Sequence, residues 1–160
     1  MSTPSSIALV QNPAFGALLL WTFGKAYQQE AVARTAQLPA FFLVLPLVYH
    51  AATLKHITST YSSSGLAQVA RKLGEERELL IAIHGRAVKM RDLTLASIAT
   101  GVSSTLLHVE YKTGHVRSNE ARPPKNPERL KYHVSGADKL GRWFARLPPE
   151  QPFSLLWVEP

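Results

Sequence analysis

From Leu93 to Val109 the chain carries no Lys, Arg, Asp, Glu, Asn or Gln. A segment of that length without charge or amide must either be packed or be covered, which constrains everything around it. Within it, Leu95, Ile98, Ala99 and Val102 recur at i, i+3, i+4 and i+7, which predicts a helix over 94–105 with that face buried. At Thr105 the period changes to two. Leu107, Val109 and Tyr111 alternate with Leu106, His108 and Glu110, Lys112-Thr113-Gly114 supplies a turn, and His115-Val116-Arg117 returns.

Helix followed by hairpin is the outline of a winged-helix unit. The expected fold is therefore mainly α with a small β part: one domain over 1–160, a helical body, a winged-helix-like hairpin and a C-terminal strand. A chain of 160 residues can bury roughly 70% of its unfolded surface, so one core suffices without staples. There is no Cys, which removes disulfides, thiolate metal sites and Cys nucleophiles. The apolar run from Leu38 to Tyr49 is interrupted by Pro39 and Pro46 and is shorter than the roughly 20 residues of a membrane span. No positive charge precedes the first apolar residues, as a secretory signal would require. The expectation is a soluble, cytoplasmic protein with no membrane partner.

Ser5 to Gln11 is short and β-prone and is expected as a first strand. Asn12-Pro13 reads as N-cap and N1 of a helix reaching about Arg34. On it Phe15, Leu18, Leu19, Thr22, Phe23 and Ala26 share a face, Leu20, Trp21 and Tyr27 widen it, and Lys25, Gln28, Gln29 and Glu30 are left for water. Leu38 to Thr58 is expected to be helical. Ser64 is expected to cap a helix from Gly65 to Leu73, with Gly74 ending it. Glu75-Glu76 open the next, with Leu79, Leu80, Ile83 and Ala87 inward and Arg86, Lys89 and Arg91 outward. Ser118 to Tyr132, with three prolines among its cations, reads as a basic loop. Ser135 is expected to cap a helix with the stripe Leu140, Trp143, Phe144 and Leu147, and Phe153 to Val158 a closing strand.

The net charge of +7 is uneven: residues 112–146 hold nine Lys or Arg against three Asp or Glu, and the rest is near neutral. Lys112, Arg117, Arg122, Lys125, Arg129 and Lys131 are the candidate contacts to an acidic partner, either an acidic protein surface or double-stranded DNA held without sequence preference. The six histidines are scattered, with no zinc-ligand spacing, and neither G-x-S-x-G nor a phosphate-cradling Gly-rich loop occurs. No catalytic, metal-ligating or cofactor-binding residue is assigned, and no cofactor is expected. Glu110-Tyr111-Lys112 has the E-x-K spacing of metal-dependent nucleases, with Asp92 as a second carboxylate, but the exposed side of a hairpin accounts for it. A winged-helix transcriptional regulator is the other alternative. Its recognition helix needs Arg, Lys, Asn or Gln at base edges, and the uncharged segment has none.

Four segments carry a resemblance: Asn12-Pro13-Ala14-Phe15-Gly16-Ala17-Leu18-Leu19-Leu20-Trp21, Phe42-Leu43-Val44-Leu45-Pro46-Leu47-Val48-Tyr49-His50, Leu140-Gly141-Arg142-Trp143-Phe144-Ala145-Arg146, and Leu155-Leu156-Trp157-Val158-Glu159-Pro160. In order and spacing the chain resembles the middle component of bacterial three-component ABC ATPase systems, the group that includes Lamassu-type antiphage defence. The tail departs from that pattern, with Trp157 where Gly and Glu159 where a basic residue usually stand. The resemblance implies a small non-enzymatic accessory subunit between an SMC-like ABC ATPase and an effector, commonly a nuclease. It supplies no catalytic residues to carry over. From the residues themselves, the aromatic side chains Trp21, Tyr27, Trp143 and Trp157 are the candidate protein-interface anchors.

Overall fold

The computed structural model describes residues 11–122, 125 and 128–160. Helix α1 (Pro13–Glu30) is the axis of the body. Asn12 Oδ1 accepts from the Ala14 N–H at 2.9 Å, and Pro13 occupies the first turn where its missing donor has no partner. The helix is buried on most sides, from Phe15 to Tyr27, because α7 (Lys131–Ala145) and α6 (Arg91–Ser103) flank it. Small residues set how close they come. A Cβ on Gly141 of α7 would lie 2.2 Å from the Phe23 carbonyl oxygen, so the two backbones touch there without a side chain between. Phe23 fills the rest of that interface, edge-on to Phe41 and Phe144.

Helix α1 ends at Glu30 rather than near Arg34: Ala31 leaves the helical region at φ -103°, ψ 65°, and Ala33 follows in the left-handed region at φ 68°. The chain then forms β1 (Ala36–Gln37), which the sequence did not signal. Helices α2 (Leu38–Val48) and α3 (Ala51–Thr58) follow, as expected, bent by 103° at Tyr49-His50. The run that looked most like a span is thus core: Phe41, Leu43, Val44, Leu45, Leu47 and Val48 are all buried. No single helix among the described residues is long and apolar enough to cross a membrane.

Helix α4 (Leu66–Glu75) has Gly65 at its N-cap, at φ 90°, in place of a Ser64 cap, and it runs through Gly74. Helix α5 (Arg77–Lys89) buries Leu80 and Ile83. Its Arg86 is not an outward cation: Nε donates to the Pro46 carbonyl at 3.2 Å and Nη2 to Thr53 Oγ1 at 3.3 Å. Pro46 lies in the last turn of α2, whose final carbonyls lack helical partners, so Arg86 caps that end.

In α6 the predicted face is rotated. Thr94, Ser97, Ile98 and Gly101 are buried, while Leu95 and Val102 are 45% and 39% exposed. The reason is proximity to α1. A Cβ on Gly16 would meet Ser97 Oγ at 2.0 Å, and only small side chains fit a contact that tight. Of the face that hydrophobic spacing proposed, Ile98 is buried as expected, while Leu95, Ala99 and Val102 face outward.

Strands β2 (Leu107–Glu110) and β3 (His115–Ser118) form the expected hairpin, turned at Gly114 with φ 76°. The antiparallel sheet has the order β1-β3-β2, with Ala36 and Val109 both opposite Val116 and Leu107 opposite Ser118. The expected strand at Ser5–Gln11 lies outside the described residues except for Gln11. The expected C-terminal strand is a correction: Gln151–Leu155 is a short helix, α8, with Pro152 in its first turn. Pro148, Pro149 and Pro152 together preset helical or turn φ values, and Phe153, Leu156 and Val158 reach the core from a helical turn and a reversal at Trp157. Finally, α7 begins at Lys131, preceded by a 3-10 turn at Glu128–Leu130, so Ser135 is interior to it and caps nothing.

Candidate functional site

The hairpin is held to α1 by a polar clamp. The Ser118 N–H donates to Gln28 Oε1 at 2.7 Å, and Gln28 Nε2 donates back to the Ser118 carbonyl at 3.1 Å. Ser118 Oγ donates to the Trp21 carbonyl at 2.9 Å, and the Trp21 indole N–H donates to the Asn119 carbonyl at 2.8 Å. Lys25 pairs with Glu120 beside it. Gln28 and Lys25, expected to face water, fasten the wing to the body. Polar residues on one helix and polar residues 90 positions later give no local pattern, so only the fold pairs them.

The outer sheet face is polar. His108 lies opposite Arg117 and Glu110 opposite His115, and the hairpin ends on the exposed Tyr111 and Lys112. Glu110 accepts from the Lys112 backbone N–H at 3.4 Å, so its carboxylate braces the turn. Asp92 sits in the first turn of α6. Among the described residues no three of His, Asp and Glu form a group able to hold a metal ion.

Of the candidate cations, Lys112, Arg117, Arg122 and Lys125 are exposed. Arg117 Nε donates to Asn119 Oδ1 at 3.3 Å. Lys131 pairs with Glu128 at 2.9 Å and lies 5.4 Å from the Tyr132 ring centroid. The Arg129 side chain lies outside the described residues. The basic segment is therefore divided: its end starts α7, and Ser118 at its beginning belongs to β3.

The four aromatic candidates separate cleanly. Trp143 is 1% exposed with its indole N–H donating to the Ser62 carbonyl at 2.9 Å, and Tyr27 is also buried, so both belong to the core and are not surface anchors. Trp21 is half-buried and spends its donor on the clamp. Trp157 is 52% exposed, at φ 57°, with the Arg77 guanidinium 6.0 Å over its ring. Ile81 and Val88 of α5 are apolar and exposed as well, at 54% and 62%. The sequence reading singled out Trp157 but assigned Ile81 and Val88 to neither face of their helix.

Ion pairs elsewhere are structural. Arg146 donates to Glu30 at 2.8 Å and holds its carboxyl below the ordinary range, with Arg142 adding to the effect. Lys139 donates to the Thr58 and Thr60 carbonyls at 2.9 and 2.8 Å, closing the end of α3. His133 stands edge-on to Phe15 and Tyr49, and burial pushes its pKa down.

No curated protein and no solved structure matches this chain. A family model does, over residues 2–160: the MC3 family, ABC-three component (ABC-3C) system Middle Component 3. With a match across nearly its whole length, on a frame whose outward features are a braced hairpin and an uncovered apolar flank, the chain belongs to the middle-component family of ABC-three component systems.

Proposed function

We propose that this protein is a non-catalytic scaffold subunit that holds an SMC-like ABC ATPase beside an effector, a nuclease, in Lamassu-type antiviral defence. It keeps the effector idle until the ATPase engages foreign DNA. The family supports partnership with other ABC components. The observation that carries the scaffold role is α6, the helix immediately before the hairpin. Beyond Arg91 and Asp92 in its first turn, its outward side presents Leu95, Ala99 and Val102 and no base-reading side chain. A surface of that kind loses little on being covered by protein and gains nothing in a DNA groove.

The order α1, β1, α2, then α6, β2, β3, with β1 on the outer edge of β3, supports a winged-helix reading in which α3 to α5 are an insertion. Fold alone does not assign function. In this reading the exposed cations of the hairpin and of the segment after it touch DNA phosphates without sequence preference once the ATPase has delivered the duplex.

Co-expression with the two other components of its system tests this. Capture of the tagged chain is expected to retain the ATPase, and the purified chain alone is expected to hydrolyse neither ATP nor DNA. DNA cleavage by the chain alone, abolished in Glu110→Gln with Lys112→Ala, would establish the nuclease instead.

A further inference from the structure

Strand β1 is an open edge of the sheet with a recess beside it. It pairs with β3 on one side only, Ala36 opposite Val116 and Gln37 opposite His115. The Leu38 N–H donates to the Gly114 carbonyl at 2.7 Å, and further along the Gln28 side-chain amide makes both bonds to the Ser118 backbone. Gly114, Val116 and Ser118 are thus the positions that bond toward β1. By the alternation of antiparallel pairing, Ala36 and Leu38 are their partners, and the N–H of Gln37 between them points off the sheet. Among the described residues neither that N–H nor the N–H or carbonyl of Thr35 has a hydrogen-bond partner.

The recess has a volume of about 240 Å³. The chain from Ala33 to Gln37 forms one wall, and Phe144, Pro149, Pro152 and Phe153, from the end of α7 to α8, form the other. That volume is below the roughly 300–1,000 Å³ of a small-molecule site and suits one or two apolar side chains. Arg34 lines the recess and the exposed Glu150 follows Pro149, so both signs of charge are at hand and charge does not select the occupant. The unpaired backbone does. Donors and acceptors at the spacing of a strand are matched by another extended backbone, and a pocket beside them takes one of its side chains.

The walls also decide which strand can enter. A second copy would have to bring its own β1, which lies in its own recess facing its own α8, so two such edges cannot meet along their length. Residues 1–10 would start from the opposite end of α1. Its 18 residues put Pro13 about 27 Å from Glu30, and ten residues extend about 35 Å at most, which leaves about two to pair. An extended segment of another polypeptide, free on both sides, meets neither obstacle. We propose that β1 takes such a segment from a partner component as a fourth strand, with main-chain bonds to Thr35 and Gln37 and an apolar side chain seated between Phe144, Pro149 and Phe153. This rests on the scaffold reading and gives it a location.

The test uses the full chain, tagged and co-expressed with the other two components. Gln37 has φ -80° and ψ 153° and follows the strand residue Ala36, so Gln37→Pro fits the backbone and removes only the outward N–H. It is expected to leave the unfolding midpoint of the chain alone unchanged and to lower capture of the partner by about tenfold. Ala40→Phe, which fills the recess from α2, is expected to lower capture to the same degree, with its fold verified by circular dichroism. Hydrogen exchange reads the backbone directly: the amides of Thr35 and Gln37 are expected to exchange at least about tenfold more slowly in the captured complex than in the chain alone. Exchange equally fast in the complex would overturn the inference. So would exchange already slowed in the chain alone, which would assign the edge to a second copy or to residues 1–10, and so would a lowered midpoint for Gln37→Pro. Wild-type capture by both variants would refute the location while sparing the scaffold reading. Absence of capture by the wild-type chain would refute both.

Discussion

The same substitution at two glycines should move stability in opposite directions. At Gly141 a Cβ would stand 2.2 Å from the Phe23 carbonyl oxygen, 3.1 Å from its carbon and 2.9 Å from Ala26 Cβ. Two of those atoms are main chain of a buried helix and cannot rotate aside, so α7 must withdraw from α1 by on the order of an ångström. Overpacking of this kind costs about 1–3 kcal/mol, and the rigid neighbours place it near the top of that range. Replacing helical Gly by Ala returns about 1 kcal/mol. Gly141→Ala should therefore destabilise by about 2 kcal/mol. Gly85 is also inside a helix, but its Cβ would meet nothing within 4 Å, so Gly85→Ala keeps only the gain of about 1 kcal/mol. The variants should differ by about 3 kcal/mol, or roughly 6–12 °C in Tm for a chain of this size. Urea and thermal unfolding of the two beside wild type measure it directly. A Gly141→Ala protein as stable as wild type would mean that α1 and α7 do not touch through their backbones, and that the core is centred elsewhere.

Other outcomes are equally definite. Lys139→Met removes a charged donor from two carbonyls at the end of α3 and should cost about 2 kcal/mol in urea unfolding; a cost below about 0.5 kcal/mol would show that this bond is incidental. His133 and His50 have folded pKa values held below the ordinary one, the first by burial and the second by burial and then the Arg86 charge. The unfolded chain takes up those protons as pH falls through about 6.5, and the folded chain does not. Their stabilisation is thus full above that pH and lost as pH falls toward the folded values. His133→Phe should shrink the drop in Tm between about pH 7 and about pH 5.5, and an unaltered drop would show that His133 does not contribute to it. Reversing Arg122, Lys125, Arg129 and Lys131 together should lower the salt dependence of DNA retention by about 0.9 in slope for each phosphate that is no longer neutralised, and an unchanged slope would make that segment solvated surface.

Much of the architecture was legible locally. Asn12-Pro13 marked the start of α1, Pro39 stands in the first turn of α2, and the change of period at Thr105 placed the hairpin. These signals are short-range: capping, alternation and fixed φ act within a few residues, so sequence alone states them. The site was less legible. Gln28 and Ser118 are 90 residues apart and become a clamp only when β3 lies on α1. Arg86 looks like any outward cation until the last carbonyls of α2 arrive beside it.

Which face of α6 is covered was settled by tertiary contact alone. Periodicity offered Leu95 and Val102 to the interior, but Gly16 and Ser97 bring the helix axes so close that only small residues fit between them. Sequence by itself determined that this chain has more apolar helical surface than charge to solvate it near its centre. The tertiary structure decided that part of that surface faces outward, because close backbone packing outcompeted side-chain volume for the interior.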